Sequence, residues 1–380
     1  VGTMDELLDP AVVGRLRCSL MSVAPGLKLS ALEEAENLVP GRRLRDRVDV
    51  VRDALLEDIP SGFGAAASVV RDVLTAPQFA GWMIWPVSEF VAARAIASGS
   101  TDDFDAAMDV LAQLTIPLSS EFAVRDLLNA RPERGLGIMR TWTGHENEHV
   151  RRLATEGSRA YLPWAKRVPW LITQPDATRG IVNALYRDPA EYVRRSVANH
   201  LNDLSRVDPA LVAQIAQTWH AESDEHTPWV LRHGLRTLIK RADPEALALL
   251  GYTGNSLRVS RPTLSAPNVA PGGVLEFAAV VTNDGSDAAA VAIDYSIGFL
   301  RANGDVRPKT FKLATRRLAP RESVVVRKTH SFRPITTRTY YPGRHFVTVQ
   351  ANGTLSPPAD FTLQADIEHD PVVDQGGGLS

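Results

Sequence analysis

At 380 residues, 44% hydrophobic and 23% charged, the chain has room for two or three domains with cores of their own and the balance of an ordinary globular protein. Its net charge of −2 conceals a division: residues 1–139 carry 13 basic and 20 acidic side chains, residues 140–262 carry 17 and 13, and residues 263–362 carry 12 and 7. One cysteine, Cys18, excludes an intramolecular disulfide and a cysteine-rich zinc site, and no apolar run approaches the roughly 20 residues that cross a bilayer. The basic remainder favours an anionic partner for the middle and C-terminal parts. With no signal-peptide pattern at its start, the chain is expected in the cytoplasm.

Residues 4–250 read as almost all helix. In the acidic third, Asp53–Leu56, Ala65–Leu74 and Glu89–Ala97 have helical spacing, with breaks at Pro60-Ser61-Gly62 and around Trp82–Pro86. Then a basic pattern recurs: Val150-Arg151-Arg152-Leu153, Val193-Arg194-Arg195-Ser196 and Val230-Leu231-Arg232-His233. The interval of about 37 to 47 residues is that of HEAT-like helix pairs. Asp188-Pro189, Asp208-Pro209 and Asp243-Pro244 each offer an N-cap acceptor before a proline at the first helical position, and Glu191 and Glu245 stand at the capping-box distance. Val193, Val197, Leu201 and Leu204 form one apolar stripe. Behind Thr227-Pro228, Leu231, Leu235, Leu238 and Ile239 form another, with Arg232, Arg236 and Lys240 opposite. Stacked in sequence, such helices give an α-solenoid with arginines along one face.

The character changes near Gly251. Residues 251–256 read as a linker, and residues 257–368 as short strands split by turn residues. Leu275–Thr282 precedes Asn283-Asp284-Gly285, a hairpin signal; Ala290–Ile297 precedes Asn303-Gly304-Asp305; Lys309–Ala314, Ser323–Phe332 and Arg344–Gln350 follow. About seven strands over roughly 110 residues predict an immunoglobulin-like sandwich held by apolar packing alone. Residues 369–380 read as a disordered tail. The expected fold is therefore mainly α: HEAT-like repeats followed by a small all-β sandwich.

Isolated carboxylates interrupt the basic faces. Glu156 shares a helix face with Arg152 and Arg159, and Asp203 lies at i, i+4, i+8 with Arg195 and Asn199. As neighbours in a repeat stack, the two helices would turn both carboxylates into one groove, beside Tyr161, Pro163 and Trp164. From spacing alone, surface salt bridges are the plainer reading. Arg151, Arg194, Arg232, Arg236, Lys240 and Arg241 read equally as phosphate contacts or as a solvated face. Of the tryptophans Trp142, Trp164, Trp170, Trp219 and Trp229, Trp164 stands out as a ligand platform, flanked as it is by Lys166 and Arg167. His145 and His149, with Glu146 and Glu148 beside them, lack the metalloprotease pattern and read as polar surface. No Walker or dinucleotide glycine loop is present. The repeats and the sandwich also suit a non-catalytic scaffold or a DNA-structure binder.

Three stretches resemble the AlkC branch of the HEAT-like DNA alkylation-repair glycosylases: Ser119-Ser120-Glu121-Phe122-Ala123-Val124-Arg125, Arg151–Trp164 and Ser196–Asp203. A fourth, Trp229–Lys240, agrees, and the appended immunoglobulin-like domain is a known variation of that branch. The resemblance implies a monofunctional DNA glycosylase that needs no cofactor or metal and releases cationic alkylated bases such as 3-methyladenine and 3-methylcytosine from duplex DNA without flipping them. It implies catalytic roles for Glu156, Asp203 and Trp164, with Glu121 in support. DNA contacts are expected from Arg151, Arg152, Arg159, Tyr161, Lys166, Arg167, Arg194, Arg195, Asn199, Arg232, His233, Arg236 and Lys240. The expected partner is double-stranded DNA, met in the bacterial cytoplasm at the nucleoid, with no membrane and the chain acting as a monomer.

Overall fold

The computed structural model describes residues 4–59, 62–252, 256–336 and 338–365, and its chain divides into two compact units, one ending at Leu235 and the other beginning at Arg236. The linker residues Thr253–Asn255, part of the Pro60-Ser61-Gly62 break and the tail expected over 369–380 lie outside the described residues.

The first unit is helical. Its helices are α1 (Pro10–Val23), α2 (Ser30–Leu38), α3 (Leu44–Asp58), α4 (Phe63–Val73), α5 (Ile84–Ser98), α6 (Thr101–Leu114) and α7 (Val124–Ala130). They continue as α8 (Pro132–Thr141), α9 (Glu148–Gly157), α10 (Pro169–Thr173), α11 (Arg179–Leu185), α12 (Glu191–Leu204), α13 (Pro209–Ala221) and α14 (Thr227–Gly234). Capping follows the expected chemistry at Asp9, Ser100 and Asp208, each of which accepts a backbone N–H at the start of its helix. Asp188 departs from it. Its carboxylate holds Arg151 and the Ala190 N–H, so α12 begins at Glu191 instead of Pro189. The break expected at Trp82–Pro86 is also displaced: a 3-10 turn, Gly81–Met83, leads directly into α5, and Pro86 sits in the first turn, where no N–H is needed.

Helices α9, α12 and α14 lie side by side, α12 in the middle. Their inward stripes, Val150, Leu153 and Ala154, then Val193, Val197 and Leu201, then Val230 and Leu231, are all buried. At the end of α9 a Cβ on Gly157 would fall 2.6 Å from Val124 Cγ1, so only glycine lets α9 approach α7 this closely. The stripe expected through Leu231–Ile239 is split: α14 stops at Gly234, and Arg236–Lys240 is a separate helix, α15, in the second unit.

Among the described residues the second unit adds α16 (Pro244–Leu249) and ten strands: β1 (Leu257–Val259), β2 (Thr263–Leu264), β3 (Asn268–Val269), β4 (Val274–Asn283), β5 (Ala289–Leu300), β6 (Val306–Leu318), β7 (Ser323–Ser331), β8 (Gly343–Ala351), β9 (Thr354–Leu355) and β10 (Ala359–Leu363). One sheet runs β1-β4-β2 with β7 on β4; the other runs β3-β10-β8-β5-β6 with β9 on β8. Four of the ten strands have only two or three residues, too short for an alternating pattern to reveal. Asn283-Asp284-Gly285 is not a hairpin turn, because β4 and β5 belong to different sheets. The Asn283 amide instead donates to the Asp287 and Ala319 carbonyls and fastens the crossover. Asn303-Gly304-Asp305 does close a hairpin, β5 to β6. Val281, Val291, Ile293, Ile297, Val347 and Val349, all fully buried, form the core between the sheets.

Candidate active site

Helix α9 starts where Asn147 accepts the His149 N–H and places Arg152 and Glu156 on consecutive turns. Just beyond its end, Arg159 folds back. Its Nη1 lies 2.6 Å from Glu156 Oε1, and its Nε lies 2.8 Å from Asp203 Oδ2 on α12. Ser196, one α12 turn from its start, donates to Glu156 Oε2 at 2.6 Å. On the other side Arg152 reaches Glu156 Oε1 at 3.5 Å, Ser119 Oγ at 3.0 Å and the Glu121 carboxylate. The result is one continuous chain, Glu121–Arg152–Glu156–Arg159–Asp203. Within it three carboxylates face two guanidiniums, leaving one net negative charge.

The two central carboxylates are tuned in opposite directions. Burial works to raise the Glu156 carboxyl, but Arg152, Arg159 and the Ser196 hydroxyl outweigh it and hold it below the ordinary range. For Asp203 burial prevails over Arg159, and its carboxyl is raised. Of the two, Glu156 is the one whose surroundings favour the ionised form.

A cavity of about 320 Å³ opens beside this chain. Trp82, Trp85, Leu118, Phe122, Leu162, Pro163 and Trp164 supply its largely apolar walls, and Ser119, Glu121, Glu156 and Arg159 its polar edge. Asp203 is not among the lining residues and meets the cavity only through Arg159. Trp164 takes a left-handed φ of 62° and is 73% exposed. The loop that carries it is anchored from beneath by Arg125, a fully buried side chain. Its Nη1 donates to the Gly157 and Arg159 carbonyls and its Nε to the Lys166 carbonyl, at 2.6–2.9 Å. Burial first, then Arg167 and Arg159, push this guanidinium down to about 10.

The other expected DNA contacts separate into classes. Tyr161 is stacked by two guanidiniums, Arg206 at 4.2 Å and Arg167 at 4.7 Å. Arg151 is bound to Asp188 and to the His145 and Glu146 carbonyls, and Arg194 to the Asp188 and Pro189 carbonyls, so both are committed to the stack itself. Lys166 pairs with Asp126 and Arg195 with Glu191, both at the surface. Asn199 meets His233, which stacks on Trp229. Arg232 is exposed, with no hydrogen bond or ion pair among the described residues. Arg236 and Lys240 fall in the second unit.

Sequence reasoning passed over Arg125, Phe122, Ser196, Arg206, Trp82 and Trp85. The first three lay inside the stretches that carried the resemblance and needed only to be asked what they touch. Trp82 and Trp85 precede Glu121 by more than 30 positions, and only the packing of α5 brings them to the cavity.

Comparison with known proteins identifies the relatives of this chain. The family model described as DNA alkylation repair enzyme matches residues 115–238, and that of the C-terminal Ig-like domain of the uncharacterised protein YhaZ matches residues 258–365. The uncharacterized protein YhaZ of Bacillus subtilis (strain 168) is 35% identical over 325 residues, spanning 85% of this chain and 88% of that protein. The solved structure of the Pseudomonas fluorescens alkylpurine DNA glycosylase AlkC, bound to DNA containing an abasic site analog, superposes with a TM-score of 0.84 at 29% identity. That likeness covers 96% of this chain and all of the other. The chain belongs to the AlkC/YhaZ-type DNA alkylation repair enzymes.

Proposed function

We propose that this chain hydrolyses the N-glycosidic bond of cationic alkylated bases, 3-methyladenine and 3-methylcytosine, in duplex DNA and leaves an abasic site. That it is a DNA glycosylase follows from its family; the choice of bases, the duplex and the unflipped base are the proposal. One observation carries it: Glu156, held ionised, lines an aromatic-walled cavity together with the exposed Trp164.

Ring methylation gives the base a positive charge, so it departs as a neutral molecule and needs no general acid. The barrier lies in the oxocarbenium-like deoxyribose left behind. A carboxylate about 4 Å from that charge, at an effective dielectric of ~20, contributes on the order of 4 kcal/mol. Realised only in the transition state, this is about a thousandfold in rate. Water then forms the new bond to C1′ as the bond to the base breaks, and its proton passes to a carboxylate at the cavity, Glu156 or Glu121. Asp203 works one step removed: by holding Arg159 it fixes the Glu156 oxygens. Trp164 and its neighbours offer π faces to the cationic nucleotide. Lys166 is the nearest lysine in sequence, but its Nζ is paired with Asp126 at 3.0 Å and lies outside the cavity lining, which favours water over an amine nucleophile. Arg232, Arg195 and the Arg167–Tyr161–Arg206 stack would hold the phosphates. That the base stays stacked rests on the likeness to the branch, and an adenine analogue whose fluorescence rises on unstacking would test it beside the lesion.

The deciding experiment is incubation with methylated duplex DNA and chromatography of the released bases. Glu156→Gln is expected to keep its affinity for a duplex bearing an abasic-site analogue while release of 3-methyladenine falls on the order of a thousandfold. Near-normal release by this variant would remove the mechanism, and no release by the unaltered chain would leave a DNA binder or scaffold.

A further inference from the structure

Behind the cavity wall lies a buried charge that the chemistry above does not use. Glu89 on α5 is 2% exposed. Its carboxylate accepts the Trp85 indole N–H at 2.8 Å, one helical turn away, and binds Arg45 of α3 through both oxygens at 2.5 and 2.7 Å. Arg52 of α3 approaches at 3.5 Å. Arg45 is itself braced by Asp49 at 2.8 Å, and its guanidinium lies 5.8 Å from the indole centroid. The indole ring stacks on Phe122 with centroids 4.4 Å apart and planes at 24°.

Burying a carboxylate against a helix that already packs through Val48, Val51 and Leu55 costs desolvation, and an apolar residue would fill the same space more cheaply. What an apolar residue cannot do is fix the roll of an indole. An acceptor on the ring N–H selects one orientation of Trp85, and a flat ring so held presents one face to Phe122. Phe122 is adjacent to Glu121 on the non-helical segment between α6 and α7, where no backbone ladder holds the register. Glu121 begins the ion-pair chain that reaches Glu156.

We propose that Glu89 is a positioning residue for base excision, acting through the Trp85 indole and Phe122 to hold the Ser119–Phe122 wall and the Glu121 carboxylate in place. This rests on the glycosylase reading above.

The test is a double-mutant cycle in the full-length chain. Glu89→Leu, which keeps bulk but removes the acceptor, should slow single-turnover release of 3-methyladenine from methylated duplex DNA by about tenfold, while affinity for an abasic-analogue duplex is unchanged. Glu89→Gln still offers the indole an acceptor and should retain most of the rate. Trp85→Phe, which lacks the N–H, should match Glu89→Leu, and the double variant should be no slower than either single one. Wild-type release by Glu89→Leu, a multiplicative loss in the double variant, or a Glu89→Gln as slow as Glu89→Leu would each overturn the proposal. One readout is independent of activity. The indole N–H resonance that disappears in Trp85→Phe should shift in Glu89→Leu and hold its place in Glu89→Gln. If the unaltered chain released no base, the glycosylase reading would fail. An unmoved resonance would sink the Glu89 proposal on its own.

Discussion

Trp164 combines two features that folding alone disfavours: a left-handed backbone at a bulky residue, and an indole 73% exposed. Such strain persists only where its surroundings impose it, and Arg125, gripping three carbonyls of the flanking loop, is what imposes it here. Trp164→Gly should therefore raise the melting temperature slightly, since glycine adopts this φ freely, while base release falls about tenfold or more with the lost π contact. A variant both less stable and fully active would contradict the assignment. His200 makes a prediction of the opposite kind. It is fully buried between the Thr155 carbonyl and the Thr178 hydroxyl, and burial, then Arg159, push it down to about 4. Above its ordinary 6.5 the ring is neutral folded or unfolded, so its contribution to stability is complete there. As pH falls from 6.5 towards 4, the unfolded chain takes a proton that the folded one refuses, and stability drops by about 3 kcal/mol. His200→Asn should flatten the melting curve against pH across that window. His330 in the second unit has the same sign, so the difference between the two proteins, not either slope, is the measurement. At this scale compact motifs singled out Glu121, Glu156 and Trp164, and the structure brings these three side chains to one cavity. It could not separate Glu156 from Asp203. Both are carboxylates amid arginines at helical spacing, and only the insertion of the Arg159 side chain between them decides which one meets the cavity.

Among the helices, arginines that look alike in sequence do different work. Val150-Arg151 and Val193-Arg194 occupy equivalent places in successive repeats, yet Arg151 and Arg194 both turn inward onto Asp188 and the turn that starts α12. Arg232, at the third repeat, is exposed. Periodicity finds the repeat but not the direction of a long side chain, which depends on whether a carboxylate or a free carbonyl lies within reach. The same competition is visible at the helix starts: Asp208 caps α13 directly, whereas the Asp188 carboxylate is shared between Arg151 and the Ala190 N–H, and α12 begins only at Glu191. Two outcomes distinguish the roles. Arg151→Ala breaks a pair whose carboxylate is 3% exposed and should destabilise the chain by about 2 kcal/mol in denaturant titration. Arg232→Ala should leave stability unchanged and reduce the slope of log affinity for duplex DNA against log salt by about one. Exchange of these two results would mean that the phosphate-facing side of the repeats has been misassigned.

For the molecule as a whole, the near-zero net charge says little, and its distribution says more. The basic excess over residues 263–362 belongs to a sandwich whose long strands were legible from apolar alternation, clearest along β4, while β5 and β8 also bury consecutive residues that alternation does not reveal. What it could not show is where those charges gather. The β5–β6 hairpin and the segment around Arg338 meet at a cavity of about 710 Å³ lined by Arg301, Arg307, Lys309 and Arg338, with Phe299 and Tyr341. Among the described residues none of these four cations is ion-paired, and Arg338 rests on the Phe299 ring at 4.2 Å. Desolvation first, then the nearby charges of Arg338 and Lys240, lower the Lys309 amine. Stability gains nothing from such crowding, so the cluster suits the phosphates of a nucleic-acid backbone. Arg307→Ala/Arg338→Ala should then reduce the salt slope of duplex binding by about two, read by fluorescence anisotropy at several salt concentrations. The single-turnover release rate at saturating enzyme should stay at the unaltered value, because neither residue lies in the unit that holds Glu156. An unchanged slope would reduce the sandwich to a stabilising appendage, and a slower release at saturation would give it a share in the chemistry itself.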